Sequence, residues 1–263
     1  MLEGITIGQY VPGESLVHRL DPRTKIVLSL VVIASLFLVN TAGGYGVIAG
    51  FLFVSVLLSG LRMSYVMKGL RPLVAILVIT FALHLFMNPG REFFRVGPLV
   101  ATYEGLYRGF LMVSRLVLLV VATSLLTLTT SPIQLTDGME YLLRPLTAVG
   151  VPSHELAMMM TIALRFIPTL LEETEKIMKA QMARGADFET GNLLKRAKSL
   201  VPLLVPLFVS AFRRADELAM AMEARCYRGG RGRTRMRQLR MGGVDWAASL
   251  VTILLMGLAA VFL

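Results

Sequence analysis

The sequence predicts an all-α integral membrane protein with about five transmembrane helices and three long cytoplasmic or interfacial helices. Three observations carry this expectation. Hydrophobic residues make up 55% of the 263 positions and charged residues only 17%, against about 25% in soluble domains, and the mean hydropathy is +0.68. The apolar residues collect into five runs, each near the ~20 residues a helix needs to cross a ~30 Å hydrocarbon core. Between the fourth and fifth runs lies a long stretch, 129–243, that keeps a helical repeat but is too polar to span.

In chain order, residues 1–25 form a polar entry segment ending in His18-Arg19-Leu20-Asp21-Pro22-Arg23-Thr24-Lys25. Met1–Leu20 holds Glu3, Glu14 and polar turn residues where a signal peptide needs an apolar stretch, so none is expected. The first apolar run is Ile26–Val39, extendable into Asn40-Thr41-Ala42. Gly43-Gly44 separates it from the second, Tyr45–Leu61, which predicts a hairpin across the bilayer. Arg62–Arg71 leads to a third run, Pro72–Met87. Asn88–Arg108 predicts a mixed loop turning at Pro89, Gly90 and Pro98. The fourth span covers about Gly109–Leu128 and the fifth Val244–Leu263. The expected organisation is therefore a membrane domain over 1–128, a cytoplasmic helical domain over 129–243 and a C-terminal transmembrane helix over 244–263.

The formal net charge is +10, and 17 of the 27 lysines and arginines fall within 129–243. Three precede the first span, none separates the first two, and three lie between the second and third. The excess of positive charge on cytoplasmic loops places the N-terminus and 129–243 inside the cell membrane and the C-terminus outside. Only 88–108 opposes this pattern, with Arg91, Arg95 and Arg108 partly offset by Glu92 and Glu104.

Within 129–243, Ser131-Pro132-Ile133-Gln134 reads as an N-cap, a proline in the first turn and a capping-box glutamine. Leu135, Met139, Leu142, Leu146 and Val149 then follow at steps of three and four residues, to a stop at Gly150. A second helix starts at Pro152-Ser153 and holds its phase through Leu156, Met160, Ala163, Ile167, Leu170, Thr174, Ile177 and Met182. A third starts near Asn192 and runs to Arg225. Pro168 in the second, and Pro202 and Pro206 in the third, each remove a backbone donor and predict kinks.

Both long helices end in the pattern A-x-x-A-R: Ala180-Gln181-Met182-Ala183-Arg184 followed by Gly185, and Ala221-Met222-Glu223-Ala224-Arg225 followed by Cys226. Alanines three apart share a helix face, so each end offers a smooth patch beside a cation. A lone arginine at a helix C-terminus is ordinarily a complement to the macrodipole, contributing about 0.3–1 kcal/mol. Two copies in the same place favour a docking role, because a guanidinium fork grips carboxylates or carbonyls in a way that lysine cannot. Met158, Met159, Met160, Met178, Met182, Met220 and Met222 cluster on the same helices, with core filling as their default role.

Several chemistries are excluded. A single cysteine, Cys226, allows no intrachain disulfide and no CxxC zinc site. His18, His84 and His154 are far apart, and neither a nucleotide P-loop nor a dinucleotide fingerprint occurs. Any ATP is therefore expected in another chain. Arg228–Arg240 is a glycine-rich basic stretch just before the last span, expected to attract anionic lipid headgroups at about 1 kcal/mol per charge rather than nucleic acid. Arg115 lies inside the fourth span and His84 near the end of the third, neither with an assigned role.

The arrangement resembles the transmembrane T component of energy-coupling factor transporters, a family that includes the membrane subunit of cobalt and nickel importers. The resemblance rests on His18–Lys25, on Ala163-Leu164-Arg165-Phe166-Ile167-Pro168, and on Ala183-Arg184-Gly185. It implies that the cytoplasmic helices are coupling helices, each ending in a groove of one of two ATPase subunits, in a homo- or heterodimer that binds ATP and magnesium. Arg184 and Arg225 match the family's motif arginines. The resemblance also implies a membrane S component that topples to release a vitamin or metal ion. The second site reads Ala224-Arg225-Cys226 where the family form has glycine, which leaves the geometry of its helix end open while the arginine stays in place. Two alternatives are a membrane-anchored lipid-modifying enzyme, drawing on Asp137, Glu140, His154 and Glu155, and a scaffold without transport.

Overall fold

The computed structural model describes residues 10–96, 99–188, 192–230 and 239–261. They form two compact units, one within 10–138 and 239–261, the other within 139–230. The early part of Met1–Leu20, Pro98, most of the basic stretch between Arg228 and Arg240, and the end of the last span lie outside the described residues.

The first unit opens with α1 (Leu16–Arg19) and α2 (Pro22–Leu38). Asp21 caps α2 by accepting from the Arg23 amide at 2.9 Å, and Pro22 starts it where no amide is needed. α3 (Ala42–Ser59) ends at Gly60, whose φ of 65° lies in the left-handed region. α4 (Met63–Leu70) continues through a 3₁₀ turn at Arg71–Leu73 into α5 (Val74–Met87), so the expected connection before the third span is itself helical.

The expected loop over 88–108 is corrected. It contains an antiparallel hairpin of β1 (Glu92–Val96) and β2 (Leu99–Thr102), with Val96 opposite Leu99 and Arg95 opposite Val100. Aromatic and branched residues around a Gly-Pro pair favour strands. α6 (Tyr103–Thr129) starts six residues before the expected fourth span, because the Thr102 hydroxyl caps it by accepting from the Gly105 amide at 3.0 Å. Gly105 and Gly109, one turn apart, let α5 approach: a Cβ at Gly105 would meet the His84 carbonyl oxygen at 2.6 Å, and one at Gly109 would meet Phe81 at 3.2 Å.

α10 (Gly243–Val261) returns the chain to its beginning. Val32 and Leu36 of α2, Ile48 and Leu52 of α3, Ala122 of α6, and Met256 and Ala259 of α10 make one buried apolar cluster. Arg115 is held in this unit: it donates through Nε to the Tyr45 hydroxyl (2.6 Å), and through Nη2 to the Val39 carbonyl (3.2 Å) and Asn40 Oδ1 (3.1 Å). It thus satisfies the C-terminal end of α2, which accounts for a charge inside an apolar helix.

The end of the polar entry segment, residues 21–25, is also interior. Asp21, Arg23, Thr24 and Lys25 are all buried. The Asp21 amide donates to Asp245 Oδ1 at 2.7 Å, Arg23 donates to the Leu239 carbonyl at 3.1 Å, and Lys25 donates to the carbonyls of His18 (3.1 Å) and Thr129 (3.0 Å). This network ties α2, the end of α6 and the start of α10 together. Nothing in the local sequence pattern signals it.

The second unit contains α8 (Ser153–Ala183) and α9 (Leu193–Ala224). α7 (Pro132–Leu143) leads into it and carries the expected capping box: the Gln134 amide donates to Ser131 Oγ (3.3 Å) and the Ser131 amide to Gln134 Oε1 (3.2 Å). A 3₁₀ turn at Arg144–Val149 replaces the last part of the expected helix and stops at Gly150, with φ 92°. α8 and α9 continue unbroken past their prolines.

Five described helical stretches are long and apolar enough to cross a membrane: α3, α4 with α5, α6, α8 and α10. The number matches the expectation but the set does not. α2 has 17 residues, about 26 Å at 1.5 Å per residue and short of a ~30 Å core. α8 qualifies through its apolar first half, although its best stretch has the lowest hydropathy of the five, 1.2 against 1.8–2.2.

Candidate functional site

The two A-x-x-A-R patterns sit at the ends of α8 and α9, and the same hydrogen bonds close both. At the first, the Gly185 amide donates to the Met182 carbonyl (2.9 Å) and the Ala186 amide to the Gln181 carbonyl (3.0 Å). At the second, the Cys226 amide donates to the Glu223 carbonyl (2.8 Å) and the Tyr227 amide to the Met222 carbonyl (3.0 Å). Each is a Schellman closure with arginine at the C-cap and a left-handed residue after it. Gly185 has φ 86° and Cys226 φ 55°, the latter the only positive φ outside glycine among the described residues. The helix-end geometry left open at Cys226 is thus that of the first site, with a cysteine in the conformation that glycine usually takes.

Ala180, Ala183, Arg184 and Gly185 are exposed, as are Ala221, Ala224, Arg225 and Cys226. Among the described residues neither Arg184 nor Arg225 forms a salt bridge or side-chain hydrogen bond. Their guanidinium donors face solvent. A cleft of about 490 Å³ adjoins the second end, lined by Met158, Ile162, Leu218, Met222, Arg225 and Tyr227 among others.

The pairing of α8 with α9 sets where the two ends lie. Gln181 donates to the Pro202 carbonyl (3.4 Å), Arg214 bridges to Glu173 (3.2 Å), Ser210 donates to Glu173, and Tyr227 meets His154 (3.3 Å). Rising numbers on one helix match falling numbers on the other, so the helices are antiparallel and the two arginines stand at opposite ends. His154 to Gln181 is about 40 Å of helix at 1.5 Å per residue. One small ligand cannot bridge that separation.

The contacts between the helices follow from the sequence. Proline at 206 supplies no amide to the carbonyl four residues earlier, at Pro202, and Gln181 provides the donor instead. Near the middle of both helices, the Ser210 hydrogen bond and then the Arg214 charge hold the Glu173 carboxyl below the usual carboxylate range. At the second tip His154 lies between Glu140 and Tyr227. A carboxylate only accepts, so His154 Nδ1–H donates to Glu140 Oε1 (3.0 Å), while Nε2 shares a hydrogen bond with the Tyr227 hydroxyl. Glu140 and His154 thus meet as a tether for the chain leaving α9. No metal-holding cluster occurs among the described residues.

Core filling is corrected for four of the methionines: Met159, Met160, Met182 and Met220 are exposed. So are Leu204, Val205, Phe208, Val209 and Phe212 of α9.

Residues 13–236 match the family model described as cobalt transport protein, CbiQ. The energy-coupling factor transporter transmembrane protein EcfT of Thermosediminibacter oceani is 65% identical over 251 residues, covering 95% of each chain. The protein of the same name from Clostridium kluyveri is 59% identical over 97% of this chain and 95% of its own length. That of Bacillus subtilis is 51% identical over 98% of both. The chain belongs to the family of energy-coupling factor transporter transmembrane proteins.

As a member of that family, it is a membrane component of a transporter and not an enzyme, which disfavours the lipid-modifying alternative. The family model's description refers to cobalt, whereas the names of these transporter relatives specify no cargo.

Proposed function

We propose that this chain is the coupling subunit that links two cytoplasmic ATPases, a homo- or heterodimer, to a substrate-binding S component in the membrane. Arg184 and Arg225 each enter a groove of one ATPase subunit, with the alanine faces Ala180–Ala183 and Ala221–Ala224 set against it. ATP and magnesium belong to the ATPases. The observation that carries this reading is the pair of identically closed, exposed helix ends about 40 Å apart on one antiparallel pair. Two such sites suit two separate partners.

In this reading α2, whose 17 residues lie at the short end of the range for a span, is the first of five crossings with α3, α4–α5, α6 and α10. Helices α8 and α9 lie at the cytoplasmic face, the N-terminus is cytoplasmic and the C-terminus outside. The charged second half of α8, with Glu172, Glu173, Glu175, Lys176 and Lys179, supports a helix that lies along the membrane surface rather than across it. The exposed apolar residues of α9 supply a surface for the S component, whose cargo is a vitamin or a transition-metal ion. Anionic headgroups meet the basic stretch between Arg228 and Arg240. ATPase closure moves the S component only if the two helix ends bind the open and closed dimers with different free energies.

The test is charge reversal. Arg184→Glu and Arg225→Glu each weaken association with the ATPases by about 30-fold or more, the effect of losing an interface arginine worth about 2 kcal/mol. The double variant inserts in the membrane but supports no uptake. Wild-type ATPase association together with uptake by the double variant would refute the assignment.

A further inference from the structure

A cavity of about 700 Å³ opens among α1, α2, α3, α6 and α10 in the first unit. Its size falls within the ~300–1,000 Å³ of small-molecule sites. The walls are chiefly apolar, with Val32, Phe51, Leu125, Val251 and Leu255 among them. Of the buried charged side chains Asp21, Arg23, Lys25 and Asp245, only Lys25 lines the cavity.

Lys25 is 6% exposed. Its ammonium donates to two neutral carbonyls, those of His18 and Thr129, and an ammonium has three donors. Among the described residues no carboxylate lies within 4 Å of the ammonium; Asp245 and Asp21 act on its charge from farther off, and its hydrogen bonds use two of its three donors. As the one charged side chain on this wall, Lys25 presents a cation with a donor to spare, which an anionic acceptor in the cavity would complement.

The opposite wall is a trough. Gly46 and Gly50 of α3 stand one turn apart on the cavity, and a Cβ at either would meet nothing within 4 Å. Gly105 and Gly109 have the same spacing, but there the space is filled by α5. The trough of α3 receives no segment of this chain.

We propose that this cavity seats one anionic phospholipid, its phosphate on the Lys25 ammonium and an acyl chain along Gly46 and Gly50. Lys25 stands in the first turn of α2, immediately before the apolar run, which is the level of lipid headgroups. A transmembrane helix of another subunit could fill the trough. The cation on the wall favours the lipid, whose phosphate offers charged acceptors to the ammonium.

The test is native mass spectrometry of the full-length chain, released from nanodiscs that contain equal amounts of phosphatidylglycerol and phosphatidylcholine. Wild type is expected to retain one phosphatidylglycerol with at least a tenfold preference over phosphatidylcholine. Lys25→Met abolishes the preference. Gly46→Leu with Gly50→Leu fills the trough and abolishes retention while leaving the thermal midpoint at or above that of wild type. This glycine pair keeps the proposal falsifiable if Lys25→Met fails to fold. Equal retention of the two lipids by wild type would overturn the proposal. So would undiminished retention by the glycine-pair variant.

Discussion

Cys226 and Gly185 occupy equivalent positions, and the cost of that equivalence is local. A left-handed conformation at a residue with a Cβ costs roughly 1–2 kcal/mol, part of which glycine would give back through its greater freedom in the unfolded chain. Cys226→Gly is therefore expected to raise stability by about 0.5–1 kcal/mol, seen as a rise of about 1–4 °C in the thermal midpoint. A fall in the midpoint would show that the thiol makes a compensating contact. Arg184 and Arg225 were legible from sequence because caps and patterns are local. Arg115 was not, since its acceptors at Tyr45, Val39 and Asn40 are about 70 residues away along the chain.

For the helices, the capping residues at Ser131 gave an accurate start and the third cytoplasmic helix begins beside Asn192, whereas α2 begins four residues before the expected Ile26 because Asp21 caps it. The hairpin over 92–102 was missed because Pro89, Gly90 and the mixed charges dominate that stretch, although Phe93, Phe94, Val96, Leu99 and Val100 carry the strand signal. In α8 and α9 the phase of apolar residues was clear, but not which charged residues would meet. Glu173, Ser210 and Arg214 lie near both midpoints and tie the two helices together, at the place a pivot between the tips would occupy. Glu173→Ala is expected to cost little stability, at most about 1 kcal/mol for a partly exposed pair. In the assembled transporter it should nevertheless lower uptake per ATP hydrolysed severalfold. Unchanged coupling, measured as the ratio of uptake to hydrolysis in proteoliposomes, would remove the pivot from the mechanism.

Glu173 also sets a pH dependence. Its carboxyl is held below the usual range in the folded chain, so its contribution to the α8–α9 pairing is present above the ordinary glutamate range and is lost as pH falls through the lowered value. Wild type and Glu173→Gln should therefore have stabilities that converge on acidification and separate toward neutral pH. Parallel thermal-midpoint curves from pH 3 to pH 7 would contradict this.

Across the whole molecule, topology is testable with the native sequence, because Cys226 is the only cysteine and is exposed. A membrane-impermeant maleimide should label it in inside-out vesicles and not in intact cells, and bound ATPases should slow that labelling at least severalfold. Labelling in intact cells would reverse the proposed orientation. The sequence by itself determined the apolar helices, their caps and the two arginine-bearing ends, since helical period, capping and hydropathy act over a few residues. Only the tertiary structure decided that α10 closes against α2 and α3, that α8 and α9 pair head to tail, and that Asp21, 224 residues from Asp245, is buried against it. A charged segment such as Asp21–Lys25 reads as surface in a linear sequence. It becomes interior when distant carbonyls and a carboxylate satisfy it, and no local period encodes those partners.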